Sequence, residues 1–91
     1  MNDLPTSVRK YAETPVFDEG TTPDKLRGEH STKPGVWGRI TVLAGRLDYV
    51  IPGSPEQRQA LEPATPGIIR PAEIHFVRPL GPVRFRVEFL R

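Results

Sequence analysis

Eleven prolines, at positions 5, 15, 23, 34, 52, 55, 63, 66, 71, 79 and 82, constrain this chain more than any other feature. Proline has no backbone N–H, and its ring clashes with the preceding helical turn, at about 3 kcal/mol in a helix interior. The longest proline-free stretch is 35–51, and its apolar residues alternate rather than recur at helical spacing. Long helices are therefore excluded. Many short extended segments punctuated by Pro and Gly predict an all-β sandwich or barrel.

The 91 residues suit one small domain over residues 1–91, because a second core would not fit. The chain has no cysteine, which excludes disulfides, thiolate metal sites and a cysteine nucleophile together. Thirteen Lys and Arg against eleven Asp and Glu give a net charge of +2 with no block of like charge, so no nucleic-acid partner is expected. The opening MNDLPTSVRK lacks the apolar core of a signal peptide, and no segment has transmembrane length. A cytoplasmic location with no membrane association is the expectation.

Residues 1–13 read as a polar N-terminal arm anchored by Val8 and Tyr11, and 14–17 (TPVF) as a short edge strand. Residues 24–27 suit one helical turn or a short strand equally. In 36–51, Val36, Gly38, Ile40 and Val42 share one face, while Leu47, Tyr49 and Ile51 alternate in a second phase. Ala44-Gly45 between them predicts a two-residue hairpin turn, since glycine takes the positive φ such turns need. Residues 52–63 read as a polar loop with a short strand near Leu61. Ile68-Ile69 reads as a buried strand, PLGP at 79–82 as a turn, and VRFRVEFLR as a final strand. There Val83, Phe85, Val87 and Phe89 form the apolar face, with Arg84, Arg86 and Glu88 opposite on a solvated one.

The strings HSTKPGVWGRITVLAGRLDY and PAEIHFVRPLGPVRFRVEF resemble the small TehB N-terminal/YeaR-like family, a cupin-like domain associated by name with tellurite resistance. The resemblance runs from about residue 5 to residue 91. It implies a cupin-like double-stranded β-helix (a jelly-roll barrel), a homodimer, and a link to tellurite or other oxyanion stress. These 91 residues leave no room for the methyltransferase domain found in some family members, so methylation is not expected of them. The chain departs from the wider cupin pattern at two places: Thr32 stands where a second histidine would follow His30, and Gly38 stands at the acidic position.

His30 and His75 are the only histidines, and imidazole is the commonest metal ligand. Glu73 and His75, at i and i+2, share a face if extended, so His30, His75 and Glu73 form the candidate set for Zn, Fe or Mn. That set requires the two imidazoles to converge within about 5 Å. Thr32 and Lys33, with a hydroxyl and an ammonium, are the candidate contacts for a small anionic ligand, and Trp37 a candidate wall. No nucleophile–base motif or phosphate loop is present. Two functional expectations follow: metal and small-anion binding in a barrel mouth, or a non-catalytic sensor or protein-interaction module working through the exterior.

Overall fold

The computed structural model describes residues 4–91, and in it the chain is all-β. In order come β1 (Lys10–Glu13), β2 (Phe17–Asp18), a single helical turn α1 (Asp24–Arg27), β3 (Trp37–Ile51), β4 (Gln57–Leu61), β5 (Gly67–Ile69) and β6 (Phe76–Leu90). The ambiguous 24–27 segment is thus helical. The first three residues of the expected arm lie outside the described ones, but its end is an edge strand: β1 pairs with β6, Lys10 opposite Leu90 and Glu13 opposite Glu88. The predicted 14–17 strand starts later, at Phe17. Thr14 is still tied to Val87, receiving its N–H at Oγ1 (2.9 Å) and donating its own N–H to the Val87 carbonyl (2.8 Å).

Two long strands organise the molecule. β3 and β6 run antiparallel from Trp37 opposite Leu90 to Val50 opposite Phe76. The outer side of β6 carries β1 and β2, and that of β3 carries β5 near its start and β4 near its end, in one open six-stranded sheet. The hairpin predicted at 44–45 does not form, and neither does the turn at 79–82. Both segments lie inside the long strands, facing each other, with Gly45 opposite Val83 and Leu47 opposite Pro79.

The physical reason is a β-bulge. The register shifts between Val42 and Ala44 and again between Gly45 and Leu47, and Gly45 has φ +79°. An extra residue bends a strand and changes which residues point inward, and a positive-φ glycine accommodates it as readily as it does a hairpin turn. Inward positions accordingly pass from Gly38, Ile40 and Val42 to Leu47 and Tyr49. β6 runs on past this bend with its register to β3 shifted between Val83 and Pro79, and Pro79 and Pro82 are tolerated there because β2 reaches only as far as Arg84 along its outer side.

The bend turns both halves of the sheet onto one core. Ile40, Val42, Phe85 and Val87 come from one side of the bulge, Leu47, Tyr49 and Val77 from the other, and Leu61 and Ile69 from the short strands. Phe85, Leu47 and Leu61 have no exposed surface. Each such side chain contributes about 1.5–3 kcal/mol relative to exposure.

The face carrying Arg84, Arg86 and Glu88 is not simply solvated. Glu88 is only 5% exposed. Arg39 of β3, its register partner, donates from Nε to Glu88 Oε1 at 2.6 Å, Thr41 donates at 3.3 Å, and Lys10 of β1 reaches Oε2 at 3.4 Å. Arg86 adds an ion pair at 3.6 Å. Three cations from three strands converge on one carboxylate, which alternation along β6 alone does not reveal.

Candidate functional site

The loop preceding β3 and the turn preceding β6 meet through their histidines. His30 and His75 form an isolated antiparallel bridge, each donating its N–H to the other's carbonyl, at 3.1 and 2.9 Å. Their rings lie 4.3 Å apart between centroids, tilted by 59°, so the convergence the sequence reading demanded does occur. Tyr49 presents a T-shaped contact to His75 at 5.6 Å.

Both imidazoles are oriented in the same way. His30 Nδ1 lies 2.9 Å from the Gly28 carbonyl and His75 Nδ1 lies 2.9 Å from the Glu73 carbonyl. A carbonyl only accepts, so each Nδ1 carries the proton, and in the neutral ring Nε2 keeps its lone pair. His75 is 1% exposed. Burial, and secondarily the neighbouring His30, hold its pKa below the ordinary 6.5 against the opposing Glu73 hydrogen bond, so His75 is neutral at pH 7. The Tyr49 hydroxyl, raised well above its usual range chiefly by burial, stays protonated and donates to the Ile68 carbonyl at 3.4 Å.

The pair borders a cavity of about 360 Å³ enclosed by β1, α1, the 30–36 loop and the inner face of the sheet. Its floor is apolar: Ile40, Ile69, Val77, Phe85, Val87 and Phe89. The polar lining comes mainly from one run, His30, Ser31, Thr32 and Lys33, with His75 and Lys25. No Asp or Glu lines it, and neither Lys25 nor Lys33 enters an ion pair among the described residues. The local charge is therefore positive.

A TehB-like domain is matched over residues 12–87, most of the chain. The chain belongs to the TehB-like domain family. Over 39 residues it is 38% identical to the probable S-adenosyl-L-methionine-dependent methyltransferase TehB of Haemophilus influenzae Rd, a stretch covering 43% of this chain and 14% of that protein. The TehB of strain 10810 matches at 36% over the same length. Among crystal structures, an Escherichia coli K12 protein superposes with a TM-score of 0.88 at 23% identity, covering 100% of this chain and 97% of its own. TehB of H. influenzae superposes at 0.84 and 23% identity, covering 93% of this chain and 32% of its own. At such identities the two structures show a shared fold. The chain thus spans only a small part of the methyltransferases that it resembles.

Within this TehB-like domain the candidate residues separate into two groups. His30, Thr32, Lys33 and His75 come together at one cavity, whereas Trp37 and Glu73 do not line it. Trp37 begins β3 on the face opposite Ile40, and Glu73 serves through its backbone carbonyl. The Thr32 hydroxyl proton goes to the Val36 carbonyl at 2.8 Å, and its oxygen lies 3.3 Å from the Ala72 N–H, which pins the two loops together. Among the described residues, no three His, Cys, Asp or Glu side chains are placed to hold a metal. The two imidazoles by themselves supply half of the donors of a four-coordinate Zn, Fe or Mn site.

Lys25, Leu26 and Tyr11 line the cavity and were missed from the sequence. The apolar residues Leu26 and Tyr11 in otherwise polar segments were the available signal. Nothing in those segments shows that they fold over the inner face of a sheet built from residues 37–90.

Proposed function

We propose that this TehB-like domain is a small-ligand-binding module that takes a small organic anion into the cavity beside the histidine pair. One observation carries the reading: Lys25, Lys33, His30 and His75 line a largely apolar cavity whose lining, among the described residues, has no carboxylate. Apolar walls with a few convergent polar groups are the usual constitution of a ligand site, and about 360 Å³ lies within the range of such sites. The ammonium groups attract an anion at the rim, and the floor rewards an apolar body.

In this reading the architecture is cupin-like, two halves of a bent sheet closing on a shared core and opening at one end to the ligand. The inorganic oxyanions that the family's association with tellurite resistance implies would engage the lysines but leave the apolar floor unfilled. The chemistry of the cavity therefore favours an organic acid over tellurite itself. A metal is not required by this proposal, and no step is routed through one.

The test is NMR titration with 3-phenylpropionate, set against tellurite and phosphate. Saturable shifts clustered at residues 30–33, His75 and Val87, weakened about tenfold in the Lys25→Met/Lys33→Met variant, are expected. Shifts confined to the outer sheet face, or absent at millimolar ligand, would overturn the reading in favour of a module acting through its exterior.

A further inference from the structure

The cavity lies between two layers of unequal burial. Every buried apolar side chain of the core comes from residues 40–90. Much of the remaining lining comes from two stretches on either side of β2: Tyr11 and Thr14 from residues 9–14, and Lys25, Leu26, His30 and Val36 from residues 23–36. Neither stretch contains a buried residue. All four residues of β1 are exposed, and α1 buries none of its own.

The segment between the two stretches is held differently. Phe17 of β2 packs on the fully buried Phe85 with ring centroids 5.8 Å apart, and Glu19 Oε1 accepts the Val83 N–H at 3.0 Å. Thr22 is buried and donates to the Asp18 carbonyl at 2.7 Å. This segment anchors the N-terminal part of the chain without lining the cavity. The flanking stretches are tied mainly by polar contacts near the surface. Arg9 and Arg91 exchange backbone bonds at 3.1 Å, Thr14 bonds Val87, Lys10 reaches Glu88 at 3.4 Å, and His30 bonds His75. Leu26 adds one partly buried apolar contact to the core. Such polar ties exchange with water at little net cost, whereas apolar burial is what holds the sheet to itself.

We propose that residues 9–14 and 23–36 form a two-part cover that opens from the folded sheet about the β2 anchor, and that an anion bound in the cavity closes it. The proposal rests on the binding reading above and adds how the site is entered and shut. The occupant touches both layers only when the cover is down, with Leu26 and Val36 on one side and Ile69 and Phe89 on the other. It thereby supplies the apolar contact that the cover lacks, and this difference between the closed and open states is what shifts the equilibrium.

Amide hydrogen exchange in the wild-type chain, read by NMR, tests the device. The N–H groups of Thr14 and His30, bonded to Val87 and His75, report on the two parts. In the free protein both are expected to exchange at least about 100-fold faster than the slowest amides shared by β3 and β6, and to respond little to low urea. 3-Phenylpropionate at about 100 times its Kd should slow both by about 100-fold, the factor for an opening that must release the ligand. Exchange of Thr14 and His30 at the rate of the β3 and β6 amides in the free protein overturns the cover. So do unchanged Thr14 and His30 rates when shifts at residues 30–33 show the ligand bound; the cavity is then rigid and open-mouthed, and the small-anion reading stands. Absence of any shift overturns both.

Discussion

Gly45 of β3 lies so close to Pro82 of β6 that a Cβ on the glycine would sit 2.0 Å from the Pro82 carbonyl oxygen and 2.9 Å from Val83 Cα. Both obstacles are backbone, so neither can swing aside. The bend that folds the sheet over its core therefore depends on the absence of a side chain at this residue.

Gly45→Ala is expected to destabilise by about 3 kcal/mol or more, combining a left-handed φ with a backbone clash. Gly35 supplies the control, since its φ is +81° but nothing lies within 4 Å of the added carbon. Gly35→Ala should cost only about 1 kcal/mol, the conformational part alone. Urea unfolding of the two variants measures the difference.

Phe85 has no exposed surface and packs against Phe17 with ring centroids 5.8 Å apart. Phe85→Ala should cost about 3–5 kcal/mol. The same substitution removes part of the cavity floor, so a folded Phe85→Leu variant should bind 3-phenylpropionate more weakly, as read by titration.

Glu88 is the anion on which Arg39, Arg86 and Lys10 converge. Burial, the largest single influence, pushes its carboxyl up, but the hydrogen bonds and charges of Arg39 and Lys10 together outweigh it and hold the group below the ordinary 4.5. Glu88→Gln should cost about 1–3 kcal/mol at pH 7, because the arginines remain partly exposed and can rehydrate. A lowered carboxylate contributes stability above pH 4.5 that disappears as pH falls through the folded value. The variant should lose that part of the acid dependence, measurable as a flatter unfolding free energy below pH 4.5.

His75 has the same sign of pH dependence at higher pH. The unfolded chain protonates this residue near 6.5, and the folded chain only at lower pH, because burial disfavours the cation. Between the two values the unfolded state holds more protons, so stability should fall as pH drops below 6.5, by at most about 1.4 kcal/mol per pH unit from this group. The Cε1–H resonance of His75 should titrate with a midpoint below 6.5. Unfolding at pH 7.5 and pH 5.5 gives the thermodynamic counterpart.

Much of this protein was legible in its sequence. The prolines excluded long helices, the alternation in 36–42 and 83–89 marked the inward residues of both long strands, and the two histidines proved to be neighbours. These signals belong to single segments and depend on backbone sterics and side-chain polarity alone. Only the tertiary structure decided whether Gly45 makes a turn or a bulge, because both use the same positive φ and differ only in what lies opposite. Likewise, Glu88 became a buried ion-pair centre because Arg39, 49 residues away, is its register partner. The cavity needed Tyr11 to be brought to β6 by strand pairing and Lys25 by the packing of α1 against β6, neither of which the segments encode by themselves. Local chemistry determined which residues prefer burial and which backbone shapes are allowed. Long-range pairing determined which of them meet, since that depends on the fit of two faces distant in the chain.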